Sequence, residues 1–417
     1  SRAFLIVMAS AFPATRFFLK IAIFNQMAYE PGMDMRPQKI VVSAQYVMIF
    51  GIMGVFLPYF NLYCYHINFS GFQIGVISAL RSLCLVVFPL IWGRIADRYC
   101  ARRPIYILCT VLCAVIWAAF FRVSDFRWFL FFVAAYGVFY APLTPFMEAF
   151  TMEILGNEKK SYGNIRVWGS ISFVLLVLIS GRLIDIYSVQ IILSLIFAGS
   201  CLQAAMSFKI PRSSVGCSTV SGGSWTKLFS ARMVILLTCG FLMLASHGTY
   251  YGFFSIHLEH LGYDNTFIGL TWALASCAEI VVMLRSEAIF RRFSIENVLF
   301  FSFLAAVFRW TALCFAQGPV AILMLQVFHA ATYGTFHMAS ILYIDALSPL
   351  EGKTFGQAAN NALSYGLGMM AGFFFNGIFF ERIGAANLFL ISAVIAMAGA
   401  IILLIGKIRY GSTFHTD

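Results

Sequence analysis

Long apolar runs separated by short polar clusters fill this chain from Ile40 to Lys407. Twelve runs can be drawn, at residues 40–64, 72–95, 104–122, 127–155, 162–184, 189–208, 232–258, 266–290, 296–316, 319–347, 354–380 and 386–406. A helix needs about 20 apolar residues to cross roughly 30 Å of hydrocarbon, and the runs are of that order. They are continuous rather than alternating, so they predict helices that satisfy their own backbone in lipid, not the ~10-residue strands of a barrel. The pattern also repeats at long range. Lys160-Ser161-Tyr162-Gly163 is answered by Lys353-Thr354-Phe355-Gly356, 193 residues on, and Tyr140 by Tyr333 at the same offset. Gln73-Ile74-Gly75 is answered by Phe267-Ile268-Gly269 at 194. An internal repeat in a chain of spanning runs predicts two six-helix halves related by an axis along the membrane normal, an organisation typical of transporters.

Composition agrees with this pattern. Of 417 residues, 61% are apolar and 11% charged, which excludes a soluble globular protein. The net charge of +11 would suit a nucleic-acid binder, but its distribution argues against that partner. With both ends on one side, that side receives eighteen Lys and Arg residues, from Arg36 and Lys39 to Lys407 and Arg409. The other side receives four, Arg122, Arg127, Arg182 and Arg382. This bias predicts cytoplasmic termini. The expected setting is a cell (inner) membrane, and the expected form is a monomer in lipid with a small-molecule substrate and a proton as its partners. The ten cysteines are scattered singly, so they read as packing residues, with no disulfide, metal or cofactor expected.

The domains follow from the breaks in the pattern. Residues 1–38 form an N-terminal extension in which Pro13 and Lys20 interrupt the apolar pieces. It reads either as an interfacial or disordered segment or as a stretch ahead of a start at Met33 or Met35. One bundle covers 39–208, a Ser-, Gly- and Pro-rich cytoplasmic linker 209–230, a second bundle 231–407 and a tail 408–417.

Charges inside apolar runs are costly and are functional candidates by default. In the first half these are Glu148 and Arg166, one in span four and one in span five, beside Trp168. They read as a structural ion pair between helices, or as a cavity wall on which Arg166 captures an anionic or hydroxylated ligand. Arg81, in span two, admits two readings as well, a contact to a carboxylate substrate or a helix-pairing residue. In the second half, His247, Tyr250 and Tyr251 lie in span seven, Trp272 and Glu279 in span eight, Arg309 in span nine, and His329, Tyr333 and His337 at four-residue spacing in span ten. A carboxylate in low dielectric holds a proton readily, and histidines can relay one, so Glu279, Arg309, His329 and His337 form a candidate proton-coupling set. The aromatic neighbours could stack on a flat ligand, although most aromatics in so aromatic a chain must simply face lipid or other helices.

Span two ends in Gly93-Arg94-Ile95-Ala96-Asp97-Arg98, followed by Arg102-Arg103-Pro104. Gly93 would allow close helix approach, and Asp97 among Arg98 and Arg102 would form a conformational latch. The alternative is a basic loop that only fixes topology. The motif resembles the loop between the second and third helices of the major facilitator superfamily, although Cys100 and Ala101 stand where a Gly is common. The strings Ser246-His247-Gly248-Thr249-Tyr250-Tyr251-Gly252-Phe253, Ala278-Glu279, Arg309-Trp310, Thr335-Phe336-His337 and Tyr162-Gly163-Asn164-Ile165-Arg166-Val167-Trp168-Gly169-Ser170 resemble the phenylpropionate permease family. That family is related to the lactose permease type of proton symporter.

The resemblance implies an all-α, twelve-helix major facilitator fold. It also implies substrate contacts at Glu148 and Arg166 and proton coupling at Glu279, Arg309 and His329. Thr332 stands where lactose permeases carry a proton-binding glutamate, which throws the carrier role onto Glu279. The expected activity is secondary active transport rather than enzymatic turnover: proton-coupled symport of a small organic solute, such as an aromatic carboxylate, by alternating access. The alternatives are a proton-coupled efflux antiporter for apolar drugs and a non-transporting membrane sensor.

Overall fold

The computed structural model describes residues 36–99, 101–156, 158, 161–210, 230–348 and 353–410. The extension over 1–35, the linker residues 211–229 and the tail 411–417 lie outside the described residues.

Every regular element among the described residues is a helix. Ten are long and apolar enough to span a membrane. They are α1 Gln38–His66, α2 Gly71–Arg98, α3 Arg102–Phe121, α4 Phe126–Leu155, α5 Tyr162–Ile186, α7 Ala231–His260, α8 Asn265–Leu284, α9 Ile295–Phe315, α10 Pro319–Leu347 and the long Phe355–Tyr410. The shorter apolar α6, Ile191–Ser207, lies between α5 and α7. Phe355–Tyr410 is two spans, α11 and α12, because Gly384 departs from helix with φ 74° and ψ 164°. Only a residue without Cβ takes that left-handed φ readily. Twelve spans result, at bounds close to those of the apolar pattern. One difference is that the run expected to reach residue 290 stops at Leu284, and a short helix, Ser286–Arg292, follows it.

Short polar N-caps begin many of the helices. Ser70 and Gln73 exchange the two bonds of a capping box at the start of α2, Asp125 caps α4, Asp264 caps α8 and Ser294 caps α9. These are the polar breaks of the sequence pattern seen in three dimensions. Breaks inside spans recur as well. α4 is interrupted after Tyr140 at Ala141 and Pro142, while α10 passes through a wide π turn at Ala330–Gly334 that holds Tyr333, the repeat partner of Tyr140.

The spans form two six-helix bundles. In the first, α1 packs on α5 and α6, α3 on α6, and α2 on α4. In the second, α7 and α9 pack on the α11–α12 pair and α8 packs on α10. The bundles meet where α2 faces α11, α5 faces α8, and α1 faces the Gly248–His260 part of α7.

Most of these close approaches lie at one face, called the closed face, and α2 and α11 meet again deeper in, where a Cβ on Gly366 would press on Val86. A Cβ on Gly75 would lie 2.7 Å from the Phe373 carbonyl and 2.8 Å from the Gly377 Cα, so α2 and α11 touch backbone to backbone. On the related side, a Cβ on Gly181 would collide with the Asn265 carbonyl, and one on Gly269 would lie 2.6 Å from the Tyr59 hydroxyl. The hydroxyl of Tyr59 reaches the carbonyls of both Val177 and Asn265 at 3.1 Å. Carboxylates then cap partner helices across the seam. Asp185 at the end of α5 accepts from the backbone of Asn265 and Thr266 at the start of α8, both at 2.8 Å. Glu381 accepts from the Gly71 amide at the start of α2, at 2.7 Å. His66 meets Glu259 at 2.6 Å, and His260 meets Tyr65 at 2.9 Å. At the opposite, open face, Glu148, Val167, Val281 and Leu284 are exposed.

Candidate functional site

The polar cluster of the second bundle is built around Arg309. Its side chain is fully buried against the rings of Tyr250 and Trp310, 4.4 and 4.6 Å from their centroids. Its Nε donates to the Leu325 carbonyl at 3.0 Å, Nη2 to Gln326 Oε1 at 3.0 Å, and Nη1 to Thr332 Oγ1 at 3.2 Å and His329 Nδ1 at 2.8 Å. A guanidinium offers five N–H groups and no acceptor. Most of its donors are therefore engaged within the protein, and the residue fixes its neighbours rather than offering itself to a ligand.

That geometry also sets the state of His329. Because Nδ1 accepts from a permanent cation, the ring proton of the neutral imidazole sits on Nε2. Nε2 lies 3.5 Å from Oε1 of Glu279 and 3.3 Å from the Tyr251 hydroxyl. Oε1 of Glu279 is buried and makes no hydrogen bond. A carboxylate in this setting has room for one proton and one neighbouring group that can donate to it. Thr332 accepts from Arg309 and makes no contact with Glu279 among the described hydrogen bonds.

The stripe of span ten is a ladder of rings. His329 stacks on Tyr333 at 5.3 Å and Tyr333 on His337 at 6.2 Å, and Nδ1 of His337 meets the Tyr365 hydroxyl at 2.5 Å. Tyr333 and Tyr365 each lie in a π-helical stretch, Ala330–Gly334 in α10 and Asn361–Gly368 in α11. Such wide turns often mark functional positions within otherwise regular helices. Sequence reasoning missed Gln326 and Tyr365. Gln326 stands one helical turn before His329, a spacing that could have found it, whereas Tyr365 joins through tertiary packing alone.

The residues expected to bind substrate divide into two groups. His247, Tyr250 and Trp272 are buried, forming a wall behind the cluster. Nδ1 of His247 bonds to the Met243 carbonyl at 2.8 Å, and the Trp272 indole donates to Ser255 at 3.1 Å. Tyr251 is partly exposed, as are Tyr333, His337, Tyr365 and Glu279. In the first bundle Glu148 is exposed and forms no ion pair with Arg166. Arg166 stacks instead on Phe50 at 3.7 Å and Tyr46 at 5.5 Å, with Glu148 within electrostatic reach and Trp168 half-buried. The strut reading of that pair therefore has no direct contact behind it.

In the loop after α2, Asp97 pairs with Arg102 at 2.8 Å, and Arg98 lies over the Tyr99 ring at 5.7 Å. Gly93 differs from expectation: a Cβ there would meet nothing within 4 Å, so this glycine permits no close approach in this conformation. Asp345, unassigned from sequence, pairs with Lys353 at 2.7 Å.

Two six-helix bundles closed at one face, with a polar cluster inside the membrane-spanning region, define a transporter of the major facilitator type. The fold matches the crystal structure of a point mutant of nucleoside transporter NupG with a TM-score of 0.81, at 17% identity, covering 88% of this chain and 99% of that one. The chain belongs to the MFS_1 like family, whose model matches residues 39–391. It is 25% identical over 361 residues to a protein of Escherichia coli (strain K12) named "Probable 3-phenylpropionic acid transporter", covering 84% of this chain and 93% of that protein. It is also 25% identical over 382 residues to the maltose permease of Geobacillus stearothermophilus, covering 88% and 94%. The protein is a multi-pass membrane transporter and not an enzyme.

Proposed function

We propose that this transporter is a proton-coupled symporter that takes up a small organic solute of the aromatic carboxylate class. It would act as a monomer in the inner membrane with both termini cytoplasmic, so that the closed face is the external one. On this reading the bundles are 39–208 and 231–407, joined by a cytoplasmic linker over 209–230, and they rock about a site between them.

One observation carries the reading. Oε1 of Glu279 is buried and without a hydrogen bond, 3.5 Å from His329 Nε2. Glu279 would take a proton from the open cavity and His329 would respond to its loss, while Arg309 holds the imidazole in place. The ladder through Tyr333 to His337 would lead from this centre toward the open face. Glu148, Arg166, Trp168 and Tyr251 would line the solute's path, with His247, Tyr250 and Trp272 supporting it from behind. Loss of the Asp97–Arg102 pair would accompany bundle rearrangement. The name of the Escherichia coli relative supports the aromatic acid class, although members of one fold family need not share a substrate.

The test uses proteoliposomes holding a pH-sensitive dye, challenged with aromatic acids, sugars and nucleosides. Acid-dependent proton flux in the direction of solute entry is the expected result. Solute entry without proton flux would refute coupling, and flux driven only by sugars or nucleosides would refute the substrate class.

A further inference from the structure

Arg81, Arg166 and Arg309 all lie within spans, and they differ in charge balance. Arg309 has the Glu279 carboxylate within electrostatic reach, and Arg166 has Glu148. Arg81 has neither an ion pair nor a hydrogen bond among the described residues. Its surroundings are the Phe56 ring, 4.4 Å from the guanidinium, and the uncharged groups of Tyr140, Cys64 and Tyr136. It sits ten residues into α2, about 15 Å from the closed face at 1.5 Å per residue and hence near mid-membrane. A charge at that depth pairs or lines a watery cavity, and Arg81 is only partly buried.

The seam fixes where that guanidinium lies. Asn61 of α1 donates to both Ser78 of α2 and the Gly252 carbonyl of α7, each at 3.0 Å. Arg81 follows Ser78 by one turn away from the closed face. Because α7 runs in the opposite sense, Tyr251 follows Gly252 in the same direction. Arg81 and Tyr251 therefore both lie inward of the Asn61 bridge, and the groups about the guanidinium, Phe56, Cys64, Tyr136 and Tyr140, come from α1 and α4. Tyr136 and Tyr140, stacked at 5.3 Å, add rings beside the cation.

We propose that Arg81 is the anion-binding residue of the transport site, and that it takes the carboxylate of an aromatic monocarboxylate whose ring lies toward Tyr251 and Tyr333. The inference rests on the aromatic carboxylate reading given above and locates the acid group within it. The substrate supplies the negative charge that the protein places beside Arg166 and Arg309 but not beside Arg81. A planar guanidinium binds a carboxylate through two parallel bonds, which an ammonium cannot reproduce. Phe56 holds the cation from one side by its ring face and leaves the N–H edge for the ligand.

The experiment measures equilibrium binding to purified protein in detergent, with 3-phenylpropionate and benzoate as acids and their neutral amides as controls. The wild type is expected to prefer each acid. Arg81→Gln is expected to weaken acid binding about 30-fold, the scale of a charge-assisted hydrogen bond, with the amides unchanged. Arg81→Lys keeps the charge without the fork and is expected to fall between the two, which preserves the test if the glutamine variant does not fold. Full acid preference in folded Arg81→Gln, or a preference in Arg81→Lys undiminished from the wild type, would overturn the role of Arg81 while leaving the substrate class intact. Equal loss for acids and amides would mark Arg81 as structural and overturn it too. A wild type that binds none of the acids would overturn both this inference and the reading on which it rests.

Discussion

The two bundles share a fold and a repeat but use their buried charges in opposite ways. In the second bundle, Arg309 is enclosed, and its donors are taken by Leu325, Gln326, His329 and Thr332. In the first, Arg81 and Arg166 lie over phenylalanine rings, partly exposed, with no such network. A saturated arginine holds structure, and an unsaturated one is available to a ligand. The contrast fits a proposed division of labour in which the first half holds the acid group of the solute and the second handles the proton.

Substitutions in the two halves should therefore differ in kind. Arg309→Met should have the largest effect on stability, because it leaves a buried carbonyl, an amide oxygen and an imidazole nitrogen without their donor. Breaking such a network costs about 3–5 kcal/mol, and the expected readout is a sharp loss of folded protein in a thermal unfolding assay. A stable Arg309→Met variant would erase the contrast. Arg166→Gln should instead leave unfolding within about 0.5 kcal/mol, as expected for a partly exposed site, and lower transport. If it unfolds the protein, the first half is not the open one.

Tyr59→Phe probes the seam shared by both halves. Its hydroxyl bridges carbonyls of α5 and α8, and its loss should remove about 1 kcal/mol from the closed face, roughly a fivefold shift toward the state open there. Labelling of a cysteine placed beneath the seam should speed up accordingly, and an unchanged rate would remove Tyr59 from the gate. Asp97→Asn should do least. The Asp97–Arg102 pair is partly exposed, so its loss should change stability by under about 1 kcal/mol, with any effect appearing in transport rate.

The spans were legible because lipid demands continuous apolar helices, and that demand is written locally. Span ten was drawn at 319–347 and the helix occupies Pro319–Leu347. The recurrence of Gly75 and Gly269 was also visible, although only the structure reveals that both are close-approach points between bundles. The cluster was partly legible, because helical spacing places His329, Tyr333 and His337 on one stripe. Tyr59, Asn61, Asp185 and Glu381 were not, since each acts on a residue more than a hundred positions away or in the other bundle, and no local pattern carries that information. Glu148 and Arg166 show the converse: similar depth in adjacent spans allows a pair, but Arg166 lies on the Phe50 ring instead.

The division of labour stands or falls on Glu279. The most direct measurement is paired solute and proton flux in proteoliposomes containing the wild type or Glu279→Gln. The variant is expected to lose uphill accumulation and solute-driven proton flux while keeping solute counterflow exchange, because the proposed contacts to the solute do not include Glu279. Proton-coupled accumulation that survives in Glu279→Gln would contradict it.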